Sequence, residues 1–451
     1  MSEWDDLVST ALVGTDRRPH QGDLLQAAAV EVARRRAGRR AGEAGEQENA
    51  PAEERQAVGR RAAERLVRIL GGEHERLLPE WLAAAAATGR RAPAYVLPEL
   101  LERGRRDRSI RGHLGVLAGR RGRWLAGLNP VWGYLLEEPT GQTWELGGAA
   151  DRRAHLRALR AADPVQARAL LESTWERETP DDRAEFVEVL AEGLSIDDEP
   201  FLERALDDRR REVRQSAANL LTRLPAARLS RRMAERVRAC VTIRREGTGH
   251  VIAIEAPTAC DKAMERDGVR PKPPRGTGER AWWLQQIIAR APLAVWEHPP
   301  ARLLAMRIPD WDTEVKAAWV RAAVLQKDPG WARAMFGWDP IADLLDALPP
   351  AEQQELAARF VDDHDLDSQL IMVLGGVSCH WHEGLATAVL RKIVKVNTTQ
   401  PWNLAELVKL AGEHIDPALY EQAEDFSPAE PVQQVAALLR FRADMYKELA
   451  P

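Results

Sequence analysis

At 451 residues, with 64 Lys+Arg against 69 Asp+Glu and a formal net charge of -5, the chain is too long for one compact core and not basic enough to coat a nucleic acid along its length. It should divide into two or three domains or extend as a repeat array, with any basic function confined to a local patch. Cys240, Cys260 and Cys379 make no C-x-x-C pair, which excludes a disulfide framework and a cysteine-based zinc finger and fits a reducing cytoplasm.

The opening MSEWDDLVSTALVGTDRR carries acids where an export signal needs positive charge. Apolar stretches such as Leu370 to Val377 fall far short of the roughly 20 residues that cross a bilayer. A soluble cytoplasmic protein without membrane contact is therefore expected.

In chain order, Leu24 to Ala33 gives a helical stripe. Residues 36–56 are rich in Gly, Ala, Glu and Arg and poor in large apolar side chains, so burial cannot offset their ordering entropy and a mobile loop is expected. Ala62 to Leu70 and Leu77 to Ala87 alternate apolar and charged positions with a period near 3.6, as an antiparallel helix pair would; Gly71 and Gly72 end the first helix and Pro79 opens the second.

Between Asp151 and Leu224, helix-start signals recur at short spacing. Asp163-Pro164 and Thr179-Pro180 each place a capping side chain before a proline at the first helical position, and Pro200 follows the acidic Asp197, Asp198 and Glu199. The same punctuation returns at Asp328-Pro329, Asp339-Pro340, Asp416-Pro417 and Ser427-Pro428. The run EPFLERALDDRRREVRQSAANLL resembles a HEAT repeat: Leu202, Ala205 and Leu206 face inward from one helix, Val213, Ala217, Leu220 and Leu221 from the next. Such a hairpin cannot close its own core, so it must stack on neighbours.

CVTIRREGTGHVIAIEAP breaks the pattern with β-branched runs on both sides of Gly247-Thr248-Gly249, which predicts an inserted β-hairpin. Pro271, Pro273 and Pro274 then prevent a helix until about Gly278. The expected fold is all-α, a HEAT-like α-solenoid of stacked helical hairpins with one small β-hairpin near 240–255. Its expected divisions are a helical region 1–135, HEAT-like repeats 136–238, a hairpin and proline-rich connector 239–278, and a helical domain 279–451.

Several stretches together resemble a bacterial domain-of-unknown-function group, family 5691. They are LVSTALVGTDRR, GRRGRWLAGLNPVW between Gly119 and Trp132, DEPFLERALDDR, DGVRPKPPRGTGERAWWL from Asp267 to Leu284, and APLAVW from Ala291 to Trp296. The resemblance spans most of the chain. It implies a place in a multi-protein assembly, because such proteins are encoded beside MoxR-type AAA+ ATPases, von Willebrand A-domain proteins and SWIM zinc-finger proteins. It implies no reaction, cofactor or catalytic residue.

Three groups of residues are candidates for function. Arg270, Lys272, Arg275, Arg280, Trp282 and Trp283 combine charge and aromatic anchors beside a rigid polyproline-like segment, as a protein-partner surface would. Trp282 and Trp283 are adjacent on a helix, so they cannot both face one core. In the arginine-rich stretch after Glu102, Arg105, Arg108, Arg120, Arg121 and Arg123 could grip phosphates of a nucleic acid, although Glu99, Glu102 and Asp107 dilute the field. The third group, His364, Cys379 and His382, supplies metal-competent side chains; were the local segment helical, Cys379 and His382 would share a face and form part of a site. Asp363, Asp365 and Asp367 imitate the start of a calcium loop, but Ser368 replaces its glycine and Leu374 its last acid.

No phosphate loop, H-E-x-x-H helix or G-x-S-x-G elbow occurs, and Gly276-Thr277-Gly278 reads as a turn before the tryptophan-bearing helix. The leading expectation is a non-enzymatic adaptor for a protein partner, with a nucleic-acid-binding protein and a metal-dependent enzyme as alternatives. No cofactor is expected.

Overall fold

The computed structural model describes residues 3–13, 17, 23–37, 48–136, 143–247, 249–398 and 401–450. Residues 38–47 of the expected mobile loop and the turn residue Thr248 lie outside the described residues.

Helices α1 (Glu3–Val13) and α2 (Leu24–Ala37) pack on each other and precede α3 (Arg60–Leu70), α4 (Leu78–Ala87), α5 (Leu97–Arg106), α6 (Arg111–Leu117) and α7 (Gly119–Leu128). Gly71 caps α3, and Pro79 sits in the first turn of α4, where its missing N–H is harmless. Of the segment read as a mobile loop, residues 48–56 are held down. The Glu53 carboxylate accepts the backbone N–H groups of Arg120 and Arg121 at 3.0 Å each, and the Trp124 indole donates to the Glu48 carbonyl at 3.2 Å. The cause is polar rather than apolar: α7 has no side-chain cap of its own, and a distant carboxylate satisfies its orphan amides.

The next run comprises α8 (Thr143–Leu146), α9 (Ala149–Ala162), α10 (Pro164–Thr174), α11 (Pro180–Val189), α12 (Glu199–Ala205), α13 (Arg211–Thr222) and α14 (Arg228–Cys240). Asp163 accepts from the amides of Val165 and Gln166, and Thr179 from that of Asp182, so both Pro-led helices start where the sequence signals them. In the HEAT-like pair α12–α13, all seven residues expected to face inward are buried.

Strands β1 (Val241–Glu246) and β2 (Gly249–Ile254) form an antiparallel hairpin in register Val241↔Ile254 to Glu246↔Gly249, and β2 packs back on the body through Ile252, whose N–H donates to the Arg307 carbonyl at 3.0 Å. The chain continues through α15 (Lys262–Arg266), α16 (Glu279–Arg290), α17 (Pro300–Leu304), α18 (Asp312–Gln326), α19 (Pro329–Phe336), α20 (Ala342–Leu345) and α21 (Pro350–Asp363). It ends in α22 (Ser368–Gly375), α23 (Glu383–Val396), α24 (Pro401–His414), α25 (Tyr420–Phe426) and α26 (Glu430–Leu449). Two expected starts shift by two residues: α20 begins at Ala342 rather than at Pro340, and α26 at Glu430 rather than at Pro428.

The helices stack as a ladder. α9 packs on α11, α11 on α13, α14 on α16, α16 on α18, α18 on α20, α20 on α22, α22 on α24 and α24 on α26. Each short hairpin thus completes its core with its neighbours, and the fold is an all-α array with one small β-hairpin.

The apolar core divides elsewhere than at the proline-rich connector. One continuous cluster runs from Trp144 to Leu439; a second joins Val58 to Leu135 with Phe441, Met445 and Leu449 from the end of α26. The connector is fixed within the larger cluster, its buried Asp267 taking 2.7 Å bonds from both Arg232 and Arg236 of α14. α26 serves both cores, and polar contacts reinforce the join: Arg65 pairs with Glu448 at 2.6 Å, and Arg442 bonds Glu80 and the Gly412 and Ile415 carbonyls.

Candidate functional site

On α16, Trp283, Leu284, Ile287 and Ile288 form the buried face. Arg290 lies three residues beyond Ile287 on that face, at the last turn, and is only 1% exposed. Its Nη2 donates to the Asn219 Oδ1 of α13 at 3.2 Å, and its Nε has no partner. Other buried arginines are neutralised: Arg160 by Asp198, Arg442 by Glu80 and Arg65 by Glu448. A buried guanidinium without a carboxylate is costly, and among the buried arginines of the described residues Arg290 is the exception.

Arg290 lines a half-open cavity of about 430 Å³ between α16 and α18. Two more arginines reach it. Arg270 comes from the connector, where Gln286 clamps its backbone by bonds of 2.8 Å and 3.2 Å, and its guanidinium lies over Trp282 at 5.7 Å. Arg321 projects from the middle of α18, and Ala318, Val320, Val324, Leu325 and Ile341 make the apolar wall, with Asp343 at the exposed rim. Among the described residues no ion pair engages Arg270, Arg290 or Arg321. Burial first, then the charges of Arg321 and Arg270, push the Arg290 pKa down to about 9; desolvation and Arg270 lower that of Arg321 as well. Three cations are thus crowded on a partly apolar crevice, an arrangement that an entering anion would relieve.

The six residues expected to form one partner surface separate. Arg270 and Trp282 line the cavity. Trp283 turns into the core and its indole donates to the Pro271 carbonyl at 2.8 Å, so the adjacent tryptophans do face different ways. Arg280 donates to the carbonyls of Ala256 and Pro257 and holds the connector, whereas Lys272 and Arg275 lie exposed on it, outside the cavity. Most later tryptophans are core: Trp296, Trp319, Trp331 and Trp381 are buried, and the side chain of Trp402 lies outside the described residues.

In the arginine-rich stretch, Arg105 pairs with Glu102 and Arg120 with Glu54. The backbone amide of Arg121 is taken by Glu53, Arg108 sits exposed at the turn before α6, and Arg123 is exposed on α7. His364 stacks on Phe360 at 3.8 Å, Cys379 Sγ accepts from Gln354 at 3.3 Å, and His382 stands before α23, 3.7 Å from Asp416. The segment carrying Cys379 and His382 is not helical, so the shared face conditional on a helix is not formed. Among the described residues no group of three His, Cys, Asp or Glu side chains could hold a metal ion. Asp367 caps α22 through the Leu370 amide at 2.9 Å.

Arg290, Arg321 and Asn219 escaped the reading of the sequence. The available signal was a charged residue in an apolar register, Arg290 following Ile287 and Ile288, and Arg321 set among Val320, Ala322 and Ala323.

Stacked helical hairpins with an arginine-lined crevice between two rungs define a helical-repeat protein. The chain belongs to the family of unknown function DUF5691, whose model matches residues 6–449. No curated protein and no solved structure matches it. No helix among the described residues is long and apolar enough to cross a membrane.

Proposed function

We propose that the protein is a non-enzymatic helical adaptor that holds a protein partner by seating an anionic group of that partner in the Arg290 crevice. The supporting observation is the burial of Arg290 without a counterion while Arg270 and Arg321 converge on the same cavity. Arginine forks and an aromatic face are what partner hot spots use, and an apolar wall beside them excludes water from the contact. The family resemblance makes MoxR-type AAA+ ATPases and von Willebrand A-domain proteins the first partners to test.

Equilibrium binding of purified candidates to the intact chain, with Arg290→Met and Arg321→Glu variants, tests this reading. Each variant should weaken binding at least tenfold by the loss of one charge-assisted contact, and millimolar sulfate should compete. Equal affinity in folded variants, or indifference to sulfate, would remove the crevice from partner binding.

A further inference from the structure

The crevice carries information about the shape and charge of what fills it. Arg270, Arg290 and Arg321 approach from three separate segments, the connector, the end of α16 and the middle of α18, with one carboxylate, Asp343, at the rim. The balance is two positive charges in excess. A carboxylate brings one negative charge and two coplanar oxygens, which a single arginine fork satisfies from one direction. A phosphate monoester brings a charge of about -1.5 to -2 near neutral pH and three oxygens arranged tetrahedrally, able to meet donors from three sides. Arg290 uses one N–H on Asn219 and its Nε is sealed against the connector near Gly268, which leaves the remaining N–H groups at the end of the guanidinium for a ligand.

The cavity also exceeds the needs of a bare phosphoryl group. At about 430 Å³ it has room for the organic part of an ester, and Val320, Val324, Leu325, Ile341 and the face of Trp282 give that part an apolar lining. A wholly hydrophilic anion would leave that lining unused.

Building on the adaptor reading, we infer that the crevice recognises a phosphomonoester borne on an apolar or aromatic group of the partner chain, with the phosphoryl oxygens on Arg270, Arg290 and Arg321 and the organic group against α18. The phosphoryl group is bound and not transferred.

Calorimetric titration of the full chain with phenyl phosphate and with phenylacetate, at equal ionic strength, tests the charge. Phenyl phosphate should bind at least tenfold more tightly, and Arg290→Met and Arg321→Met should each reduce its affinity at least tenfold. Arg321 lies at the rim, so its variant guards against a folding defect at Arg290. Equal binding of the two probes would overturn the phosphoester inference and leave the adaptor reading standing; binding of neither probe would sink both. Titration with a phosphotyrosine peptide and with adenosine monophosphate tests the source. Tighter binding of the peptide supports a partner side chain, and tighter binding of the nucleotide overturns the placement on a partner chain.

Discussion

Arg290 and Asn219 face each other across α16 and α13 at 3.2 Å, a buried cation answered by a neutral amide. Asn219 Oδ1 also accepts from Gln215 Nε2 at 3.1 Å, so the pair is a small amide relay and not an ion pair. Such an arrangement leaves the buried charge uncompensated, at a cost to stability.

Replacing Arg290 by Met should therefore stabilise the free protein. Removing an uncompensated buried charge and filling its place with an apolar chain of similar length should add about 1 to 4 kcal/mol. Denaturant unfolding would measure it, and a clear loss of stability would mean that Arg290 is a structural residue. Sulfate should raise the melting temperature of the wild type and have little effect on the variant.

Asp198 should behave in the opposite way. It receives Arg160 and, at 2.8 Å, Arg168, so Asp198→Ala strands a fully buried guanidinium and should cost about 3 to 5 kcal/mol. Burial alone would raise the Asp198 pKa, but the bonds from Arg160, Arg168 and the Ser195 amide outweigh it and hold the carboxyl below its usual range. Stability from a carboxyl depressed in the folded state is fully present above its unfolded pKa of about 3.9 and is lost as pH falls through the folded value. The stability gap between wild type and Asp198→Asn should narrow as pH drops below about 4. Urea midpoints measured across pH 2 to 7 would check this, and a gap that widens toward acid would refute it.

Gly268→Ala should couple backbone to crevice. Gly268 has φ +85°, where a side chain is strained, and an added Cβ would stand 2.7 Å from the Ala218 side chain and 3.5 Å from Arg290 Nε. A loss of about 1 to 3 kcal/mol is expected, together with weakened anion binding. Unchanged affinity for phenyl phosphate would show that the connector does not position Arg290.

Met445→Ala should selectively destabilise the smaller core, formed by Val58 to Leu135 with the end of α26, by about 2 to 5 kcal/mol, since Met445 is fully buried in it. Limited proteolysis followed by mass spectrometry should then find early cleavage between residues 60 and 135, with the array intact. Simultaneous cleavage throughout would contradict two separate cores.

Helix pairing was legible because local rules set it: Asp163 and Thr179 are caps before prolines, and Leu202 and Val213 fall in a clean apolar register. The hairpin was legible from Gly247 between β-branched runs. The connector was read as a boundary because prolines forbid a helix there, yet what fixes it is Asp267 meeting Arg232 and Arg236, contacts 35 and 31 residues apart in sequence that no periodicity encodes. For the crevice, proximity along the chain grouped Arg270 with Lys272, Arg275 and Arg280, whereas the fold groups it with Arg290 and Arg321 from two different helices. Likewise nothing local in Phe441 to Leu449 announces that it closes a core begun near Val58.

That last pairing sets an order of events during translation. A ribosome finishes residues 60–135 some 300 residues before Phe441, Met445 and Leu449 emerge, so the smaller core waits with an open apolar seam while the array behind it assembles. Of the two cores, the one whose residues are mostly made first is sealed only when the end of α26 arrives, and through that interval a chaperone, or a partner bound during synthesis, has its longest opportunity to engage the chain.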